Sequence, residues 1–365
     1  MTGADPQHKP KPRHASWQDQ LRSAVTSVAA LEGYAFLSGR SAGLAVVEEQ
    51  YRTLVPPYYL GLINREDPND PIARMAFPTG EEALAPVAGL RDPIGDLAKQ
   101  AAPRLTHRYP DRALLHVTNL CPMYCRFCFR KNLMNEREEE LYAGEFTPAF
   151  AYLAEHPEIE EVILTGGDPW MLSDDRLRAL VDGLANASPS IKRLRVHSRM
   201  PVTLPMRVTP GLVEAISRPG RFQTVVVTHF NHVRELSAEA KAAIRMLKGA
   251  GFLLLNQSVL LKGVNDSAEA LRALFLALGN EGVIPYYLHH CDLVAGGEHF
   301  RLSIAQGREI WAQLRGTLPG YLIPEYVLDT PGGGGKVPLG GGFVEDEGGG
   351  SYSISRMSEP YLDPK

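Results

Sequence analysis

Residues 114–131 read LLHVTNLCPMYCRFCFRK. A short apolar run with strand character ends in three cysteines, Cys121, Cys125 and Cys128, spaced C-x3-C-x2-C. Iron–sulfur clusters and all-cysteine zinc sites ordinarily take four cysteine ligands. The only other cysteine is Cys291, far along the chain. Three thiolates on one tight loop point to a [4Fe–4S] cluster with one iron left open. An open iron can bind a small molecule and do chemistry on it. The spacing also admits a zinc knuckle closed by Cys291 or a histidine.

Downstream of this loop, short apolar runs alternate with amphipathic helices. The strand candidates are ALLHVT, EEVILTG, RLRVHSR, FQTVVVTH, FLLLNQSVLL and PYYLHH. Helices are expected between them, for example over 174–187, 237–250 and 267–278. Thr209-Pro210 and Ser237 have the form of helix starts, a hydroxyl cap followed by proline or an acid. Six strand–helix units imply a parallel sheet with right-handed crossovers. Six strands are too few to close an eight-stranded barrel, so the expected fold class is α/β, a partial (β/α)6 barrel. Active sites of parallel barrels sit at the C-terminal ends of the strands, and the cysteine loop follows the first strand.

Four segments are expected. Residues 1–16 are polar and proline-rich and read as a disordered tail. Residues 17–106 read as a helical N-terminal lobe. Its first helix runs from Trp17 to about Tyr34, with Leu21, Val25, Val28 and Leu31 at helical spacing, and its second from Val46 to Leu54, closed by Pro56 and Pro57. Residues 107–326 form the barrel core. Residues 327–365 are a loop-rich C-terminal segment with one strand-like piece, SYSIS.

Composition narrows the class. The 365 residues are 44% hydrophobic, enough for a sizeable core, with net charge -4. No basic patch suggests nucleic acid, and no apolar run is long enough to cross a bilayer. The N-terminal MTGADPQHKPKPRH has no apolar h-region. Four cysteines cannot build a disulfide framework. A cytoplasmic protein is expected, and a reducing compartment suits an oxygen-sensitive cluster.

Other constellations stand at strand ends. Gly166-Gly167-Asp168 closes the second strand, where paired glycines allow close backbone approach to a ligand. A plain turn is the alternative. Ser198 and Arg199, His229 and Asn231, and Asn256 and Gln257 are polar groups placed to pair with each other or with a ligand. Gly332 to Gly335 precede Lys336, a lysine given the freedom to enter a pocket and form a Schiff base with pyridoxal phosphate (PLP). A P-loop is excluded, because Val337 stands where that motif needs Ser or Thr. Arg108, Tyr109 and Arg112, in THRYPDR, are candidates for the PLP phosphate. Arg130 suits a substrate carboxylate. Asp292 and Asp329 would repel each other in one pocket unless a cation stood between them; a turn cap is the alternative for each.

Together these residues resemble the lysine 2,3-aminomutase family of radical S-adenosylmethionine (SAM) enzymes. The likeness extends over PPYYLGLI, DPNDPI, THRYPDR, the cysteine motif, GGD, THFNH, NQSVLLKGVND, CDL…EHFR and D-x-PGGGGK-x-P. It implies the radical SAM form of the partial barrel. It further implies that Cys121, Cys125 and Cys128 hold the cluster and that Lys336 holds PLP. Arg108 and Arg112 belong to the PLP phosphate region. Gly166, Gly167 and Asp168 meet the SAM amino group, and His229 and Gln257 line the SAM pocket. Arg130 binds the substrate α-carboxylate, and Asp292 and Asp329 its ε-ammonium. The implied reaction converts L-lysine to β-lysine by 5′-deoxyadenosyl-radical hydrogen abstraction and 1,2-amino migration, with a reduced flavodoxin- or ferredoxin-type electron donor.

The chain departs from the free-lysine branch in one respect. Ser267 follows GVND and no cysteine follows Cys291, so the zinc site that links subunits in that branch is absent. This leaves open what kind of homo-oligomer forms. Relatives without that zinc make β-lysine for elongation factor P, and that role, or another amino acid substrate, is the second reading. A glutamate substrate is disfavoured, since it calls for a cation where Asp292 and Asp329 stand. A non-catalytic iron–sulfur or zinc protein is the reading from another class.

Overall fold

A computed structural model describes residues 16–40, 43–83, 89–134, 140–142, 144–342, 344–348, 351–354 and 361–362. The expected tail, 1–16, lies outside these residues apart from Ser16.

Ten strands form one sheet in chain order. They are β1 (Gln100–Ala102), β2 (Leu105–Tyr109), β3 (Arg112–Thr118), β4 (Glu161–Gly166), β5 (Arg193–His197), β6 (Gln223–Thr228), β7 (Leu253–Leu260), β8 (Ile284–His290), β9 (Glu325–Thr330) and β10 (Gly335–Pro338). Neighbours from β3 to β9 run parallel. The outer pairs β1–β2, β2–β3 and β9–β10 are antiparallel. The sheet is open, with β1 and β10 at its edges. The expected partial barrel is present and gains a seventh parallel strand, β9.

Crossover helices Asp174–Ala187, Pro210–Ile216, Ala238–Gly249, Ala268–Glu281 and Ile304–Leu314 cover the outer face. Each begins at a Ser or Thr (Ser173, Thr209, Ser237, Ser267, Ser303) whose hydroxyl accepts the backbone N–H three residues on. Such a cap contributes about 1 kcal/mol. Leu177, Leu180 and Leu184, Ile244 and Leu247, and Leu274 and Leu278 recur at helical spacing and join Leu164, Val196, Val226 and Leu288 of the strands in one buried core. Strand side chains alternate between faces. Their neighbours Ile163 and Thr165, Arg195 and His197, and Tyr287 and His289 therefore turn to the inner face and border a cavity.

Several local expectations are corrected. The first helix covers only Trp17–Arg22. Val25 instead exchanges both backbone hydrogen bonds with Val55, at 2.9 Å each, and that extended pairing overrides the helical spacing. The second helix is Leu44–Gln50, and Tyr51 is already extended. THRYPDR, just ahead of the expected first strand, supplies a strand of its own, β2, and the turn into β3. The sheet thus begins at Gln100, ahead of the expected boundary at 107. The segment after Val327 is not chiefly loop, since β9 and β10 are integral to the sheet, and β11 (Val344–Gly348), β12 (Ser351–Ile354) and β13 (Tyr361–Leu362) form a second small sheet.

The glycine pair after β4 docks the cysteine loop. Gly167 N donates to Thr118 O at 2.6 Å and Asp168 N to Leu120 O at 2.8 Å. Gly166 has φ +120, and a Cβ on Gly167 would drive into the Leu120 backbone. Gly167→Ala is expected to destabilise the fold by roughly 1–3 kcal/mol through overpacking against rigid backbone. Gly249→Ala, where nothing lies within 4 Å of the added carbon, is the control. Equal melting temperatures for the two variants would contradict this account.

Candidate active site

The inner face encloses a cavity of about 550 Å³ at the C-terminal ends of the strands. The three cysteines, Gly166 to Asp168, Arg108, Tyr109, Arg112, Arg130, Ser198, Arg199, His229, Gln257, Asp292, Asp329 and Lys336 border it, whereas Asn231 and Asn256 do not and accept from Val259 N and Phe230 N instead. Cys291 stands apart, buried with its Sγ 3.9 Å from the Asp292 carbonyl oxygen. Among the described residues no three His, Cys, Asp or Glu side chains form a closed metal-binding group; the thiols meet as neighbours along one wall.

The donor set fits an iron–sulfur cluster chemically. Burial pushes the Cys128 thiol up to about 11, with the Cys125 charge adding to it, and raises Cys121 and Cys125 as well. Such thiols ionise when a metal cation supplies the missing charge. Arg199 backs them, with Nη1 2.6 Å from Cys125 Sγ and Nη2 2.6 Å from Glu235 Oε1. Tyr59 donates to that same Glu235 oxygen at 2.8 Å. The loop is pinned from the N-terminal lobe. Buried Glu82 takes Arg126 Nε at 3.0 Å and Lys131 Nζ at 2.7 Å.

Asp168 has no oxygen to spare. Its carboxylate accepts from Trp170 N at 3.0 Å, Ser198 Oγ at 2.9 Å and Arg199 N at 2.8 Å. Burial nevertheless pushes its pKa up to about 6. Its visible work is to lock the β5 loop to the glycine turn.

Asp96, which sequence reasoning missed, joins two of the expected arginines. Its Oδ2 accepts from Arg130 Nε at 2.9 Å and Nη2 at 2.7 Å, and its Oδ1 from Arg108 Nη2 at 3.1 Å. Arg130 Nη1 reaches Thr165 Oγ1 at 2.9 Å. Arg108 Nε is buried and has no hydrogen-bond partner, a donor left for an anion. Arg112 lies over the Tyr109 ring at 4.0 Å. The only signal for Asp96 was an acid in the turn-rich RDPIGD stretch, indistinguishable there from a loop residue.

The tetraglycine turn is fixed, contrary to the freedom its composition implied. Gly332, Gly333 and Gly335 have φ near +79, +85 and +92. A Cβ on Gly95 would meet the Gly332–Gly333 backbone at 2.8 Å, and one on Gly335 the Tyr109 hydroxyl at 2.9 Å. Lys336 N donates to that hydroxyl at 3.2 Å. The turn makes β9 and β10 a hairpin that sets Lys336 directly opposite Asp329. Lys336 Nζ lies 2.8 Å from Asp329 Oδ1, and His289 Nδ1 lies 3.1 Å from Oδ2. Burial raises the Asp329 pKa, but the His289 hydrogen bond and the Lys336 charge outweigh it and hold the carboxyl well below its usual range. Asp292 is pushed the other way. Burial, then the Asp329 charge, raise it to about 7, and its Oδ1 has no partner.

Residues 115–275 match the Radical SAM superfamily, so sheet and cysteine loop are those of a radical SAM enzyme. Full-length relatives narrow the class. An L-lysine 2,3-aminomutase from Clostridium subterminale is 39% identical over 330 residues, 90% of this chain and 78% of the relative. One from Escherichia coli is 36% identical over 90% of this chain and 95% of its own length. A glutamate 2,3-aminomutase from Clostridioides difficile is 36% identical over 88% and 75%. The chain belongs to the lysine 2,3-aminomutase family, whose members are isomerases. With membership come a [4Fe–4S] cluster, SAM and PLP. Among the described residues no helix is long and apolar enough to cross a membrane.

The raised Asp292 has a measurable consequence in protein free of cofactor and substrate. Its folded pKa of about 7 exceeds the unfolded value of about 3.9. The folded state therefore holds the extra proton in that window, and stability falls as pH rises from about 4 to about 7. Asp292→Asn is expected to raise the melting temperature at pH 8, with the gain fading toward pH 4. A gain that does not vary with pH would refute the assignment.

Proposed function

We propose that this chain converts L-lysine to β-lysine. The observation that carries the proposal is a pair of buried acids, Asp292 and Asp329, in the same cavity as Lys336 and the three thiols. Two acids in one pocket need a cation. Asp329 has one in Lys336, whereas Asp292 Oδ1 has no partner. A substrate ending in an ammonium supplies the missing charge, and one ending in a carboxylate, such as glutamate, would be repelled. Sequence identity separates the two substrates poorly, at 39% and 36% for two lysine relatives against 36% for the glutamate relative. The acids support lysine.

In this reading Cys121, Cys125 and Cys128 hold the cluster. Gly166, Gly167 and Asp168 shape the floor on which SAM sits, and His229 and Gln257 form its side wall. Lys336 Nζ holds PLP, with Arg108, Tyr109 and Arg112 at the phosphate end; the unpartnered Arg108 Nε fits an anion there. Cluster and SAM together supply a carbon radical able to remove an unactivated hydrogen, and PLP supplies a π system across which an amino group passes between adjacent carbons. The protein's own work is to hold and exclude. Arg130 faces the substrate α-carboxylate, kept rigid by Asp96 and Thr165. Asp292 and Asp329 hold the far end, so the chain between is stretched across the cavity. The buried walls shield a radical from water and stray hydrogen donors.

Residues 17–99 then act as a lobe clamping the cysteine loop through Glu82, 100–326 as the cluster and SAM core, and 327–365 as the segment bringing the PLP lysine. The setting is cytoplasmic, with a reduced flavodoxin- or ferredoxin-type protein as electron donor.

The test is a product assay. Anaerobic enzyme with lysine, SAM, PLP and dithionite is expected to yield β-lysine on chiral chromatography. Lys336→Ala is expected to lose the covalently bound PLP absorbance while keeping its iron. Asp292→Ala and Asp329→Ala are each expected to raise KM for lysine by roughly 100-fold, the order of about 3 kcal/mol that follows from unpairing a buried charge. Turnover of glutamate in preference to lysine, or PLP still covalently attached in Lys336→Ala, would overturn the reading.

A further inference from the structure

His289 stands on β8 beside Asp329 on β9 and borders the cavity, 8% exposed. Its Nδ1 lies 3.1 Å from Asp329 Oδ2. An ionised carboxylate only accepts hydrogen bonds, so Nδ1 carries the proton of that contact. Burial, with the Lys336 charge, lowers the His289 pKa despite the Asp329 bond, so the ring is neutral. Its proton is then on Nδ1, and Nε2 presents a lone pair. That Nε2 is buried and has no hydrogen-bond partner. Buried polar atoms are normally paired, and a lone-pair acceptor on a cavity wall calls for a donor from a ligand.

Asp292 borders the same cavity, and its Oδ1 is likewise buried without a partner. Asp329 Oδ1 is the third acceptor of this wall, occupied by Lys336 Nζ at 2.8 Å. Once Lys336 is committed to PLP its ammonium no longer exists, and that oxygen is released. A primary ammonium carries three N–H donors.

We infer that His289 is a specificity-determining residue for the substrate's terminal ammonium: its Nδ1–H holds Asp329 in place, and its Nε2 joins Asp292 Oδ1 and Asp329 Oδ1 as the third acceptor for a primary amine. The inference rests on the lysine reading above and deepens it. It makes the pocket selective for an unmodified –NH3+. A methylated amine lacks one donor and leaves an acceptor buried and unpaired. A guanidinium offers its donors in a plane, not a tripod.

The test uses the cluster- and PLP-loaded enzyme. His289→Asn keeps a side-chain N–H for Asp329 and deletes Nε2. It is expected to raise KM for lysine about tenfold, the order expected for a lost hydrogen bond to a charged group, with kcat changed less than about threefold. The preference for lysine over Nε-methyllysine, measured both as kcat/KM and as Kd in calorimetry without SAM, is expected to shrink by a similar factor. His289→Gln, which returns a polar atom near the Nε2 position, restores part of it. Histidine 15N spectra of the wild type provide a measurement free of mutation: in the oxidised enzyme the His289 Nε2 is expected to resonate as unprotonated and to shift when lysine binds. An Nε2–H tautomer, or a His289→Asn enzyme with undiminished discrimination, overturns the inference. If Asp292→Ala and Asp329→Ala also leave lysine affinity intact, the lysine reading itself has failed; if they weaken it, only the role of His289 has.

Discussion

A charge taken out of water must be matched inside the protein, at a cost of several kcal/mol per unmatched ion. The cavity of this chain is walled by charges matched in this way. Glu82 holds Arg126 and Lys131, Asp96 holds Arg108 and Arg130, Glu235 holds Arg199, and Asp329 holds Lys336. All but the Asp329–Lys336 pair, which lies within one hairpin, also tie separate segments together. The cysteine loop is held from the lobe by Glu82 and from the loop before β1 by Asp96. The shape of the wall and its charge balance are therefore one property.

The mismatches carry the chemistry. Asp292 Oδ1, His289 Nε2 and Arg108 Nε are buried without partners, as are His197 Nε2 and His229 Nε2 of the same cavity wall. Two acceptors near Lys336 and one donor near Asp96 describe the polarity of what fits between: cationic at one end, anionic at the other. An amino acid with an ammonium side chain, bound beside a phosphorylated cofactor, has that polarity. Lys336 itself occupies part of the cationic position while it remains a free amine. Competition between the Lys336 ammonium and any other cation for Asp329 is thus built into the β9–β10 register.

Much of this was legible in the chain. The apolar runs marked all of β3 to β8, and hydroxyl caps at Thr209 and Ser237 marked two of the helices between them, because both signals are local. The cysteine motif, GGD and GGGGK were legible because their residue types have few other uses. Failures had a common cause. Val25 reads as part of a helix until Val55, thirty positions away in sequence, captures its backbone. THRYPDR shows no strand signal until β3 folds back on it. Asp96 and Glu82 carry no signal until basic residues of the cysteine loop arrive. The glycines before Lys336 read as slack until Gly95 and Tyr109 pack against them.

By itself, then, the sequence determined the parallel α/β plan, the three-thiol loop and the set of residues that meet in the cavity, since periodicity and rare motifs are written in adjacent positions. Only tertiary structure decided which charge faces which: that Asp96 bridges two arginines, that Asp168 is consumed in holding β5, that Lys336 lies against Asp329, and that His289 presents a bare nitrogen. Those facts depend on contacts between residues seven to forty positions apart in sequence, and burial gives each such contact its energy only after the sheet has formed around it.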